Sequence, residues 1–260
     1  MTPPAVSIAE ILKTKEGEIL KIYSKTDIGL SRTVNQDAFY AGEFEGGAVF
    51  AVVCDGMGGA KGGNVASAKA ATVISDYIVR SYSPKMNSSA IEKLLRAAVD
   101  SANAEVIELA ESDPRYEGMG TTAVVALVID NLAHIVHVGD SRAYLIGDSR
   151  IDQLTNDHSM VQMMLAKGEI SPEEAKNHPK KNIITRAVGA EKTVMCDYNI
   201  ALKPDNTALL ICTDGLSNTV TDEEIFSVVH DLPPEESIDK LIELANAAGG
   251  PDNITAVLIK

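Results

Sequence analysis

Three short runs limit what this chain can fold into: FAVVC (50–54), AVVALVI (123–129) and ALLIC (208–212) contain no polar residue. A strand with one wet face alternates apolar with polar residues, so strands like these must be covered on both faces. Seven segments read as strands, rich in Val, Ile, Leu and Ala and ending at Gly, Asp or Asn: Ile19–Ile28, Ala48–Cys54, Thr122–Ile129, Ala133–Gly139, Ala143–Ile146, Ala208–Cys212 and Ile254–Ile259. Helical patterns fall between groups of them. Gly63–Ser81 carries apolar residues at 65, 66, 70, 73, 74 and 78, close to the helical period. Ser89 and Glu92 form a capping box before a helix running to about Glu111, and Thr221 and Glu224 repeat the signal before IFSVVH. A last helix, Pro234–Ala248, stops at Gly249 and Gly250. Strands in groups, with a few long helices between them, do not make strand–helix–strand units. The expectation is a layered α+β domain, with antiparallel sheets packed between helices.

The 260 residues are 45% hydrophobic and no Pro/Gly/Ser-rich linker divides them, so one domain is expected. No apolar stretch approaches the ~20 residues of a membrane-spanning helix. The N-terminus lacks a basic start followed by an apolar run, and Cys54 and Cys212 sit inside apolar runs, as buried reduced thiols do. A cytoplasmic protein with no membrane span is the expectation. The formal net charge of −14 repels nucleic acid and anionic lipid, so no nucleic-acid partner is expected. An acidic protein acting on a phosphoester would need local positive charge, which bound cations supply.

Five acids sit at strand ends beside turn formers. Asp55 follows AVFAVVC, Asp214 follows ALLICT, Asp140 follows HIVHVG, Asp252 precedes ITAVLI and Asp37 precedes AFYAG. One Asp-Gly after a strand is an ordinary turn. Five brought to one rim would repel one another unless cations or protons lay between them. Carboxylate and carbonyl oxygens suit hard ions such as Mn²⁺ and Mg²⁺. Zinc is disfavoured, since the histidines are scattered and His134 and His137 point to opposite faces of a strand. The glycine run Gly58, Gly59, Gly62 and Gly63 lacks the Gly-Lys-Ser/Thr ending of a phosphate cradle. Gly56 lets its backbone carbonyl approach a metal.

The motifs TDIGLSRTVNQDAF, VVCDGMGG, GMGTTAV, VGDSRAYL, LTNDHS, ITRAVG, CTDGL and GPDNITAV occur in this order from about Tyr23 to Lys260. Together they resemble the protein phosphatase 2C family, the metal-dependent serine/threonine protein phosphatases, in its compact bacterial form. The resemblance implies a four-layer α/β/β/α sandwich, two antiparallel β-sheets flanked by helices, with two catalytic Mn²⁺ or Mg²⁺ ions at one end. By motif position Asp55 would bridge both ions, with the Gly56 carbonyl completing one and Asp214 and Asp252 holding the other. Asp140 with Asp214 would hold a third. Asp37 would orient a metal-activated water, and Arg32 would grip the substrate phosphate. Residues 1–20 would be an N-terminal extension of unknown role and 21–260 the catalytic domain. The polar segment from about 157 to 188 is either a mobile flap or an ordinary loop–helix connection. The implied reaction is hydrolysis of phosphoserine and phosphothreonine on proteins, by a monomer opposing a serine/threonine kinase. Alternatives are a non-catalytic phosphopeptide-binding pseudophosphatase, a phosphatase dedicated to anti-sigma-factor antagonists, and a small-molecule phosphatase. Where some animal members have glutamate and histidine this chain has Gln36 and Met57. A thioether donates no proton, which leaves the general acid unassigned; His158 is a weaker candidate for it than for a helix cap or packing residue.

Overall fold

The computed structural model describes residues 12–13, 19–58, 62–176 and 178–260. Most of the 1–20 extension, and Gly59 of the glycine run, lie outside them. Strands are numbered along the chain. After a small ladder of β1 (Leu12–Lys13) and β2 (Ile19–Leu20), two antiparallel sheets carry the fold. The first has the order β10 (Ile151–Gln153), β9 (Arg142–Ile146), β12 (Ala208–Cys212), β13 (Ile254–Ile259) and β3 (Ile22–Asp27). The second has the order β11 (Asp197–Leu202), β8 (Leu132–Val138), β7 (Ala123–Ile129), β5 (Val49–Met57) and β4 (Asp37–Glu43), and β6 (Gly120–Thr121) pairs with the end of β5.

The apolar runs are covered on both faces. Along β5, Val49, Ala51 and Val53 pack against the other sheet with Leu209, Ile211 and Val257. The alternate residues Phe50, Val52 and Cys54 pack under α1 (Gly63–Ser81) and α2 (Ser88–Ser112). Strand β12 does the same, with Ala208, Leu210 and Cys212 facing α6 (Asp222–Asp231) and α7 (Pro234–Ala247). Each fully buried Val, Leu or Ile side chain contributes about 1.5–3 kcal/mol, so these central strands hold the four layers together. The layered α+β expectation and the four-layer sandwich both hold.

Local readings hold in part. Thr221 and Glu224 make the capping box: the Glu224 amide donates to the Thr221 hydroxyl, and the Thr221 amide to the Glu224 carboxylate. The Ser89–Glu92 box does not form. Helix α2 starts two residues earlier, at Ser88, where the Asn87 side chain accepts the Ala90 amide at 2.9 Å. The strand read as 19–28 is broken at Lys21, whose amide and carbonyl bond Lys260. Between 157 and 188 lie two short helices, α3 (Met160–Ala166) and α4 (Pro172–Lys176). That segment leaves and rejoins the body at one neck, where Thr185 N–H donates to the His158 carbonyl at 2.7 Å and Met160 N–H to the Ile183 carbonyl at 2.8 Å.

Candidate active site

Antiparallel pairing brings the five acids to one rim. Strand β5 carries Asp55 to the rim, and β4 starts there with Asp37 directly opposite Asp55. Like charges in that register destabilise a sheet. Strand β8 ends at Val138 and delivers Gly139 and Asp140 beside them. In the facing sheet β12 ends at Cys212 and leads to Asp214, the first residue of the one-turn helix α5 (Asp214–Ser217). Its antiparallel neighbour β13 starts at Ile254, which places Asp252 next to that exit. The two rims are bonded together: the Thr213 and Thr255 hydroxyls donate to Asp37 Oδ2 at 2.9 and 2.7 Å.

Above this floor opens a pocket of about 510 Å³ whose walls include Asp55, Gly56, Asp140, Asp214, Asp252 and Arg32. Asp37 lies beneath it. Burial lifts the Asp55 carboxyl well above the ordinary range, and the charges of Asp37, Asp214 and Asp140 lift it further. The Asp55 and Asp214 carboxyls are close enough to perturb each other directly. Asp214 is raised by burial and then by Asp252. Asp140 is pushed up to about 7, first by burial and then by Asp214 and Asp157. Asp37 also reaches about 7, because burial outweighs its two threonine hydrogen bonds.

Asp37 Oδ1 and Asp214 Oδ1 are buried without a hydrogen-bond partner. A buried oxygen left unmatched costs about 1–3 kcal/mol, and more when charged. Crowded carboxyls with two unmatched oxygens thus form a site for positive charge. Oxygen donors of this kind fit hard divalent ions. The oxygen donor set fits Mn²⁺ or Mg²⁺.

Glycine at 56 and 63 is a packing requirement. A Cβ on Gly56 would lie 2.0 Å from the Gly63 carbonyl oxygen, and one on Gly63 would lie 2.7 Å from the Gly56 carbonyl oxygen. The start of α1 therefore presses directly on the strand beside Asp55. Arg32 reaches the pocket, and its Nη2 donates to Asp252 Oδ2 at 2.8 Å. Among the described residues, no histidine or lysine lines the pocket.

Several supporting residues have no place in the sequence reading. Thr213 and Thr255 fix Asp37, and the Thr122 hydroxyl accepts the Asp55 amide at 2.9 Å. Asn253 accepts the Gln36 amide and donates to the Ile28 and Val34 carbonyls, which pins the loop carrying Arg32. A signal for the threonines existed: each is a hydroxyl in or beside a strand that is otherwise fully apolar.

His158 takes no part in the pocket. It is 6% exposed, and its Nδ1 accepts the Gly139 amide at 3.2 Å. Ser159, not His158, caps α3. His137, His158 and Asp197 place possible metal-ligand atoms within 4.8 Å of one another. His158 Nδ1 is taken by the Gly139 amide, and Nε2 faces Arg186 Nη1 at 3.1 Å and Asp197 Oδ2 at 3.3 Å. Arg186 also pairs with Asp197 there at 2.8 Å. The group is a hydrogen-bonded cluster and does not compete with the aspartate ring.

The family profile described as Protein phosphatase 2C matches residues 30–258. A serine/threonine phosphatase of Listeria monocytogenes is 38% identical over 237 residues, which is 91% of this chain and 94% of that protein. The crystal structure of a bacterial serine phosphatase superposes with a TM-score of 0.86 at 35% identity, covering 92% of this chain and 97% of that one. The catalytic domain of the serine/threonine protein phosphatase PstP, solved with two manganese ions, gives 0.80 at 34% identity, covering 93% and 97%.

Proposed function

This chain belongs to the protein phosphatase 2C family, and we propose that its aspartate ring is the metal centre of a phosphatase acting on phosphoserine and phosphothreonine in proteins. The chain is a metal-dependent hydrolase. The observation that carries the assignment of the site is the pair of buried, unpartnered oxygens, Asp37 Oδ1 and Asp214 Oδ1, at the floor and wall of one acid-lined pocket.

Asp55, the Gly56 carbonyl, Asp214 and Asp252 would hold two divalent ions, and Asp140 with Asp214 would hold a third. Ions bound there would supply an acidified water and positive charge to offset that building on the phosphoryl oxygens. Asp37 has Oδ2 fixed by two threonines and Oδ1 buried without a partner, and would use that free oxygen to orient the attacking water. Arg32 turns its planar fork from Asp252 to two oxygens of the substrate phosphate. Met57 has no acidic proton to give and, among the described residues, no histidine or lysine lines the pocket, which leaves water as the proton donor to the departing alkoxide.

The counterpart of this activity is a serine/threonine kinase acting on the same proteins, and the chain works in the cytoplasm as a monomer. Family resemblance supports the first. The buried free thiols of Cys54 and Cys212 support a reducing compartment, and the mass in solution tests the monomer. Among the described residues no helix is long and apolar enough to cross a membrane. An assay of phosphothreonine, phosphoserine and phosphotyrosine peptides and of phosphorylated metabolites, each with Mn²⁺, tests the substrate class. Turnover should favour the first two. Preference for the metabolites would overturn the protein-substrate reading, and binding of phosphopeptide without turnover would mark a pseudophosphatase.

A further inference from the structure

His158 holds the turn that carries Asp140 and the neck of the 157–188 segment with the same few atoms. Its backbone N–H donates to the Gly139 carbonyl at 2.9 Å and its ring Nδ1 accepts the Gly139 N–H at 3.2 Å, so two bonds close on one residue. Its own carbonyl accepts the Thr185 amide at 2.7 Å, where the segment returns. Gly139 sits at φ +102, and a Cβ there would fall 2.5 Å from Thr122, the residue that accepts the Asp55 amide. The turn therefore has little room to move on its inner side. On the outer side the ring stacks on His137 at 4.7 Å, and its Nε2 lies 3.1 Å from Arg186 Nη1 and 3.3 Å from Asp197 Oδ2. Arg142 grips the preceding Asp157 through two nitrogens, at 2.7 and 3.0 Å, and fixes where residue 158 starts.

We propose that His158 is a positioning residue: it sets Asp140 through the Gly139 bond and ties the 157–188 segment to that setting. This rests on the reading of Asp140 as a metal ligand. The two ring nitrogens do different work and can be removed separately. Asparagine places an acceptor where Nδ1 stands and lacks the far nitrogen. Glutamine reaches the position of Nε2 and leaves the Gly139 amide without its side-chain partner. Loss of a group that orients a metal ligand costs about 10- to 100-fold in metal affinity.

Mn²⁺ binding by calorimetry on the full chain reads this apart from activity. His158→Gln and His158→Ala should weaken the lower-affinity sites by about 10-fold or more, while His158→Asn stays within about 3-fold of wild type. The tightest site should be unchanged in all three. Hydrogen exchange should show faster exchange across 160–184 in the glutamine and alanine variants. The proposal is overturned if the asparagine variant loses as much affinity as alanine, or if glutamine binds like wild type. Nitrogen NMR of the wild-type His158 ring is independent of any variant's folding: protonated Nε2 with bare Nδ1 is expected, and the opposite tautomer sinks the proposal. Mn²⁺ that binds in full number with no His158 dependence leaves the metal-centre reading standing and removes only this inference.

Discussion

Asp37→Asn should change how the stability of the metal-free protein depends on pH. In the folded chain the Asp37 carboxyl is pushed up to about 7 from 3.8, chiefly by burial. Between those values the folded state keeps a proton that the unfolded state has released. Stability falls with rising pH wherever the folded state binds more protons. The metal-free wild type therefore loses stability from about pH 4 to about pH 7, and above that the loss at this residue is complete. At about 1.4 kcal/mol per decade of proton affinity the span is worth up to about 4 kcal/mol. For a chain of this length that is about 8 °C in Tm, at about 2 °C per kcal/mol. The variant has nothing to titrate at this position. Any fixed cost of its amide is independent of pH and drops out of the slope. His134, His137 and His158 are each held below their ordinary range by burial, so they act in the opposite sense below about pH 6.5. They cancel in the difference between the two proteins. Urea unfolding of both proteins in EDTA, from about pH 4.5 to about pH 8, gives that difference directly. The variant's advantage should grow with pH by up to about 4 kcal/mol and disappear when Mn²⁺ is added. A difference that is flat or falls with pH would refute the claim that a carboxyl is held protonated beneath the pocket.

Asp55→Asn and Asp214→Asn should lower kcat by about 1,000-fold or more with the far-ultraviolet spectrum unchanged, since each removes several kcal/mol of metal-centred charge stabilisation. Asp140→Asn should cost about 10- to 100-fold, which excess Mn²⁺ partly restores. Arg32→Ala should raise KM for a phosphothreonine peptide about 10- to 100-fold, and Arg32→Lys should recover little, because a point charge cannot match two phosphate oxygens at once. Gly56→Ala should destabilise by at least about 1–3 kcal/mol, read as a lower denaturation midpoint, because its methyl would meet the Gly63 carbonyl.

The acids were legible because each ends or begins an apolar run, and the runs were legible because both faces of β5, β7 and β12 are covered. Strand β11 left no such trace. It is an edge strand, bonded only to β8, and Ile200 and Leu202 lie exposed on it. Strand β4 showed only as the short run AFYAG after Asp37, without bounds, since Tyr40 and its neighbours are only partly covered. The cap of α2 went to Asn87 because two good cap residues stood close together, and spacing alone does not choose between them. Thr213 and Thr255 bond Asp37 across 176 and 218 residues of chain, so their role depends on how the two rims meet. His158 showed the limit most plainly: its motif was visible, but only the fold shows the ring turned from the pocket and onto Gly139.

The most direct test of the metal centre is anomalous diffraction from crystals grown with Mn²⁺, recorded at the manganese edge. Two strong peaks should lie within the ring, bounded by Asp55, the Gly56 carbonyl, Asp214 and Asp252, with a weaker one between Asp140 and Asp214. A ring without manganese, or an ion seated instead among His137, His158 and Asp197, would contradict the account.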